Sequence, residues 1–354
     1  MPGEPKGRGD AHLNRKTVTI VLVAALVLAA ISTFALLRNP NYGAQTSGSL
    51  CGVSLIQQIT LPNASGRIDH MTVDSSGGKL FVAMLGNNSL AEVNLTQGAF
   101  VRSLQGLAQP QGVLFVPSAN KLFVTNGGSG LVDIVDPNSL QVTNSVQLSS
   151  DADNIRYDSH GLVLVGYGFG GIAVLNLTTE KVTASVGLIG HPESFQLDRN
   201  DSKMFVNVPA GSYVAVVDRD TNSIISRWPL PSNVSANFPM ALDEIHHRLF
   251  VGARLPAEVV VYDTLSGRVV DTISVGQGPD DVFYSPNGCL YVSSREGYTY
   301  VFSQTDPDHY KAGDNVFTGI GGGTSLLLPQ LGRLYVAIPQ NQSQPAEVGV
   351  YAAR

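Results

Sequence analysis

The chain has 354 residues, 43% of them hydrophobic and only 14% charged, so it can bury a large core and is not a disordered polymer. Of its 22 basic and 28 acidic residues, five basic and two acidic lie in residues 1–38, which leaves 17 against 26, a net −9, for the remainder. That sign is wrong for a surface that tracks phosphates, and it excludes nucleic acid as a partner.

In chain order, a basic N-terminus comes first, with Lys6, Arg8, Arg15 and Lys16. An uncharged apolar run follows, Thr17 to Leu37. At about 1.5 Å per helical residue it spans roughly 30 Å, the thickness of a bilayer's hydrocarbon core. With the basic residues ahead of it and Arg38 alone close behind, the positive-inside rule places residues 1–16 in the cytoplasm and the rest outside. The run is longer than the apolar region of a cleaved signal peptide, about 7–15 residues. Tyr42, two before Ala44, spoils a small-x-small cleavage site, and the "GSLC" ending at Cys51 lacks the leucine that a lipoprotein signal has three places before its cysteine. The reading is an uncleaved, single-pass signal anchor at 17–37, a linker at 38–52 and an extracytoplasmic domain at 53–354. Seven N-x-Ser/Thr sequons, at Asn63, Asn87, Asn94, Asn176, Asn200, Asn233 and Asn341, agree with export but are also ordinary turn composition.

Beyond the linker one strand pattern recurs seven times: "KLFVAM", "KLFVTN", "LVLVGY", "KMFVNV", "RLFVGA", "CLYVSS" and "RLYVAI". Its first apolar positions are Leu80, Leu122, Val163, Met204, Leu249, Leu290 and Leu334. An apolar stretch precedes each anchor and further strands follow, as in "GLVDIVD" and "QVTNSVQL". Four short strands about every 42 residues is the period of a β-propeller blade. The seventh repeat ends after "AEVGVYA", one strand short, while "SLIQQITL" at Ser54–Leu61 stands unpaired ahead of the first. That strand completes the last blade, closes the ring and removes its open edges. The expected fold is all-β: a seven-bladed propeller of four-stranded blades with an N-terminal transmembrane helix.

The segment "LFVTN" at 122–126, with its variants "MFVNV", "LYVSS" and "LYVAI", resembles the YVTN/YncE-like family of seven-bladed propellers. The resemblance covers residues 53 to 354. It implies the fold without choosing a function, because such families include binding proteins, surface proteins and cofactor-free relatives of quinoprotein enzymes.

The stretch "GRIDH" leads into the innermost strand of blade 1, at one mouth of the channel. Aligned on the repeat, the His70 position holds His70, Gly112, Asn154, Ser194, Pro239, Asp281 and Thr324. The preceding position holds Asp69, Gln111, Asp153, Glu193, Phe238, Asp280 and Gly323. These residues differ from blade to blade, so the repeat does not account for them. Asp151 and His191 lie two residues earlier in blades 3 and 4. The loops after the second strands add Asn87, Asn126, Tyr167, Asn207, Arg254, Arg295 and Glu296. Together they form a polar, acidic funnel for a small molecule or a protein partner.

Asp69, Asp153, Glu193 and Asp280 are hard oxygen donors suited to Ca²⁺ or another divalent cation, while His70 and His191 favour a transition metal. Asp69 with His70 could instead act as an acid–base pair on an ester. Arg254 and Arg295 either clamp an anion or balance Asp280, Asp281 and Glu296. "HH" at 246–247 falls in a turn on the opposite face, where solvation is expected. There is no G-x-S-x-G, H-E-x-x-H, P-loop or paired C-x-x-C. Cys51 and Cys289 are expected to lie too far apart to bridge, because one precedes the outermost strand of blade 7 and the other begins an inner hairpin of blade 6. The functional expectation is a membrane-anchored binding or interaction scaffold, with a metal-assisted lactonase or esterase like the gluconolactonase-type propellers as the alternative.

Overall fold

The computed structural model describes residues 51–354. The expected anchor at 17–37 lies outside the described residues. No helix among the described residues is long and apolar enough to cross a membrane.

Seven four-stranded antiparallel sheets follow one another along the chain. The innermost strands are Met71–Asp74, Pro110–Val116, Ile155–Tyr157, Phe195–Leu197, Ser235–Asp243, Pro279–Ser285 and Ser325–Leu328. The second strand of each blade carries the repeated apolar anchor. All seven anchors, from Leu80 to Leu334, have no exposed surface. Each sits at one register, Leu80 opposite Val73, Val163 opposite Tyr157 and Leu334 opposite Leu327. The periodicity is therefore a packing rule: a second strand is covered by neighbouring blades on both faces, so it reads as a nearly continuous apolar run.

The blades are glued to their neighbours by apolar clusters. One joins the chain ends, packing Leu80, Val82 and Val93 of blade 1 against Tyr335, Val348 and Val350 of blade 7. The outer strand of blade 7 is Val53–Thr60, hydrogen-bonded along Glu347–Ala353 with Val53 opposite Ala353 and Thr60 opposite Glu347. A register shift falls between Leu55 and Gln57, matching the bulge between third and fourth strands in blades 1 to 6. The closing strand thus has the twist of a native fourth strand, although it comes from the far end of the chain.

The cysteines depart from expectation. Cys51 and Cys289 form a disulfide with a Cα–Cα distance of 5.5 Å across 238 residues. The pairing of the closing strand runs on by one residue beyond Val53. Gly52 N donates to Arg354 O at 3.4 Å and Arg354 N to Gly52 O at 3.1 Å. This brings Cys51 into a buried cluster with Cys289, Tyr291 and Tyr351, between blades 6 and 7. Neighbouring blades are close in space however far apart they are in sequence, and that packing makes the bridge feasible.

The turns between first and second strands lie on the face opposite the site. Asp74 Oδ1 accepts from Ser76 N (3.0 Å) and Gly77 N (2.9 Å), and Asp158 Oδ1 accepts from His160 N (3.0 Å). His246 belongs to this set, its Nδ1 lying 2.7 Å from Asp243 Oδ2 rather than purely in solvent.

Candidate functional site

The loops leading into the innermost strands meet at one mouth of the ring around a cavity of about 210 Å³. Its lining draws on all seven blades. It includes Asp69, His70, Asp151, Asp153, Asn154, His191, Glu193, Arg254, Asp280, Asp281 and Arg295, eleven of the twelve residues expected there. Asn207 is the exception. It is fully buried, donating through Nδ2 to Phe238 O (2.9 Å) and Pro239 O (3.2 Å) and accepting from Asn237 Nδ2 (2.9 Å). A side chain at the end of a second strand can turn inward to tie the next blade, and Asn207 does so.

Four others among the loop residues also work locally. Asn87 binds Ser65, and Asn126 holds Ala108 N at 3.0 Å and Asp133 at 2.9 Å. Tyr167 Oη lies 3.1 Å from Ser185 Oγ, and Glu296 accepts from Gln277 N at 2.9 Å.

The charges pair across blades. Asp280 is held between Arg254 and Arg295, with Arg295 Nε at 2.8 Å. This places the two arginines on one carboxylate. The Arg254 guanidinium also lies 3.6 Å over the Phe238 ring, which fixes its plane. Gly323 is the glycine this pair requires. A Cβ there would lie 2.8 Å from Arg295 Cγ and 3.0 Å from Asp280 Oδ2. Gly112 is small for a similar reason, since its Cβ would sit 2.4 Å from Asp153 O.

On the other side, His191 Nδ1 lies 2.7 Å from Gly168 O and 3.5 Å from Asp151 Oδ2, while Nε2 lies 3.5 Å from Asp153 Oδ2. A carbonyl only accepts, so Nδ1 carries a proton, and Nε2 faces a carboxylate. Burial pushes the imidazole down, but Asp153, the Gly168 carbonyl and Asp151 outweigh it and raise its pKa to about 9. His191 is therefore a cation at neutral pH. Gln111 Nε2 donates to Asp151 Oδ1 at 3.1 Å.

Asp69 Oδ2 is 2.7 Å from Arg67 Nη2 and Oδ1 is 3.8 Å from His70 Nε2. Burial raises Asp69 to about 6, against the pull of His70 and Arg67. Burial likewise raises Glu193 to about 7, helped by Asp153, and raises Asp281 to about 7 even though Ser325 N donates to it at 2.7 Å. Asp280 moves the other way: burial raises it, but Arg295 and Arg254 win and hold it below the ordinary range. Burial also opposes the charge on His70, yet Asp69, Asp281 and Asp153 raise it.

The funnel is thus not simply acidic. Arg67 lines it, and Arg156 sits beside it, stacked 5.4 Å from the Phe195 centroid with Nη2 3.5 Å from Ser194 Oγ. Both were outside the two aligned positions, although alternation along a strand gives the signal: Arg67 is two residues before Asp69 and Arg156 two after Asn154. Of the four carboxylates expected to hold a cation, Asp69, Asp153 and Asp280 already have basic protein partners, and Glu193 has no ion pair among the described residues. Among the described residues, the three metal-type ligands that do converge, within 4.8 Å, are Asp158, His160 and Asp201, in turns away from the mouth. There Asp158 is already paired with buried Arg219 at 2.7 Å.

Among the described residues two buried oxygens of the mouth accept no hydrogen bond, Asp69 Oδ2, which is ion-paired with Arg67 at 2.7 Å, and Asn154 Oδ1, which has no ion pair. Asn154 is only 5% exposed and lines the cavity, and its Oδ1 receives no hydrogen bond. An unmatched buried acceptor costs about 1–3 kcal/mol.

No protein-family model matches the chain. Part of it is similar to the seven-bladed beta-propeller protein Rv1057 of Mycobacterium tuberculosis, 27% identical over 128 residues. That match covers 35% of this chain and 32% of the relative's length. Among solved structures, it resembles a chain of Kuenenia stuttgartiensis hydrazine synthase with a TM-score of 0.69 and 15% identity, covering 85% of this chain and 96% of that one. It also resembles a chain of the mitotic checkpoint complex, with a TM-score of 0.73 and 13% identity over 89% and 96% of the two chains. At such identities the likeness is one of fold alone, and the chain is a seven-bladed β-propeller.

Proposed function

We propose that this chain is a membrane-anchored, extracytoplasmic β-propeller of YVTN/YncE-like type whose channel mouth binds a small polar molecule. The observation that carries this reading is Asn154, buried and unpartnered in a cavity lined by charged groups from different blades. Folding alone gives no reason to bury Asp69 and Asp153 and to gather Glu193, Asp281 and four arginines around them, since burying charge opposes stability. Export is supported by the apolar run at 17–37 and by the Cys51–Cys289 bridge, which persists in an oxidising compartment.

Divalent-cation binding has less support, because Asp69, Asp153 and Asp280 already face Arg67, His191 and two arginines. The hydrolase reading also has less support, because 3.8 Å between Asp69 and His70 is too long for the hydrogen bond of an acid–base pair. The test is a thermal-shift screen of the full chain against amino acids, sugars, polyols, nucleosides and carboxylates at millimolar concentration. At least one class should raise the Tm, and Glu193→Gln with Arg254→Met should abolish the rise while remaining folded. A response that survives in that variant, or no response to any class, counts against a site at the mouth.

A further inference from the structure

We propose that the ligand is a small zwitterion of α-amino-acid type, its ammonium set against blades 3 and 4 and its carboxylate against Arg254 and Arg295. This rests on the reading of the mouth as a small-ligand site. Opposite charge predominates on two stretches of the rim, although Arg156 belongs to blade 3 and Asp281 to blade 6. Blades 3 and 4 bring Asp151, Asp153 and Glu193 against one imidazolium, His191. On blades 5 and 6, Arg254 and Arg295 share the carboxylate of Asp280.

Donors and acceptors are left over on the matching sides. Arg254 uses Nε on Pro279 O (3.3 Å) and Nη2 on Asp280, while Arg295 uses Nε on Asp280 (2.8 Å). Nη1 of the first and both Nη atoms of the second make no hydrogen bond within residues 51–354, and they present the planar fork that a carboxylate fits. On blade 3, beside Asp153, Asn154 Oδ1 is a buried acceptor with no hydrogen bond among the described residues. An ammonium supplies three donors to such a set.

The remaining choices fail on charge. A dianion would bury one end against Asp153 and Glu193, and a diamine would bury one end against the arginines; each end then meets like charge in a poorly solvated space. A cavity of about 210 Å³ is of a size to hold a single amino acid.

The test is calorimetric titration of the full-length chain in detergent with the twenty α-amino acids, followed by the amide and N-acetyl derivatives of any that bind. Succinate, putrescine, glycerol and glucose are the comparison set. At least one amino acid should bind with one-to-one stoichiometry, and its amide and its N-acetyl form should each bind at least tenfold more weakly. Arg254→Met should weaken the amino acid about tenfold but leave the amide unchanged, and Glu193→Gln should do the same toward the N-acetyl form. Melting curves identify any variant that fails to fold, and Arg254→Lys then replaces Arg254→Met. Equal binding of the amide or N-acetyl form overturns the zwitterion. So does binding of succinate, putrescine or a sugar with none of the twenty, an outcome that leaves the mouth a ligand site. Silence from every probe overturns both.

Discussion

Asp69, Glu193 and Asp281 retain protons at a pH where ordinary carboxyls have lost theirs, because burial disfavours the anion. The consequence for stability has a definite sign. A group whose folded pKa is raised stabilises the fold fully below its ordinary pKa, and that contribution is lost as pH rises through the folded value. For these carboxyls the loss runs from the ordinary values of 3.8 and 4.5 up to about 6 or 7. For His191 it runs from 6.5 to about 9. Asp280 has the opposite sign, but its window lies below 3.8. From pH 5 to pH 9, therefore, the Tm should fall, by roughly 5 °C or more. Asp69→Asn, Glu193→Gln and Asp281→Asn together should flatten the profile between pH 5 and 7. A Tm that rises over this range would contradict the assignment. The sequence places most of these residues, because counting back from each repeat anchor lands on the mouth in every blade. Pairing is another matter. Arg67 stands where Asp151 and His191 stand in blades 3 and 4, so the same spacing pointed to it, whereas Arg156 lies beyond the compared positions, and Asn207 was misplaced because a repeat does not say which way a terminal side chain turns.

Elements were more legible than side chains. Each second strand announces itself as an apolar run, and its register with the first strand is the same in every blade compared. Periodicity says nothing, however, about segments outside the repeat, and Cys51 lies in one. Its bridge to Cys289 closes a loop of 238 residues and ties the segment before the closing strand to blade 6. On the chain-entropy account a loop that long is worth up to about 5 kcal/mol. Cys51→Ser with Cys289→Ser, or reduction of the native protein, should lower the Tm by roughly 10 °C while leaving the fold cooperative. An unchanged Tm would mean that the bridge adds nothing to the pairing of Val53–Thr60 with Glu347–Ala353.

At the scale of the molecule, closure is what turns separate loops into a site. Blades 1, 3, 4, 5 and 6 supply the charged groups, and they face one another only if blade 7 seals against blade 1. Deleting Ser54–Leu61 removes the outer strand of blade 7 and Ile59 and Leu61 from the sealing cluster. The truncated chain should lose its cooperative melt, and one that melts at the full-length temperature would contradict closure by this strand. The central claim is that the mouth is built for a ligand and not for the fold. Binding sites commonly cost stability, so removing their charges together need not weaken the fold. The direct measurement is the melting temperature at pH 7 of the chain carrying Asp153→Asn, Glu193→Gln, Asp280→Asn, Arg254→Met and Arg295→Met together, a set that leaves neither arginine without its partner. The account predicts a cooperative melt at or above the wild-type temperature, with no response to any compound that shifts the wild type. A melt lower by about 10 °C, or loss of cooperativity, would make these charges part of the scaffold and contradict the claim.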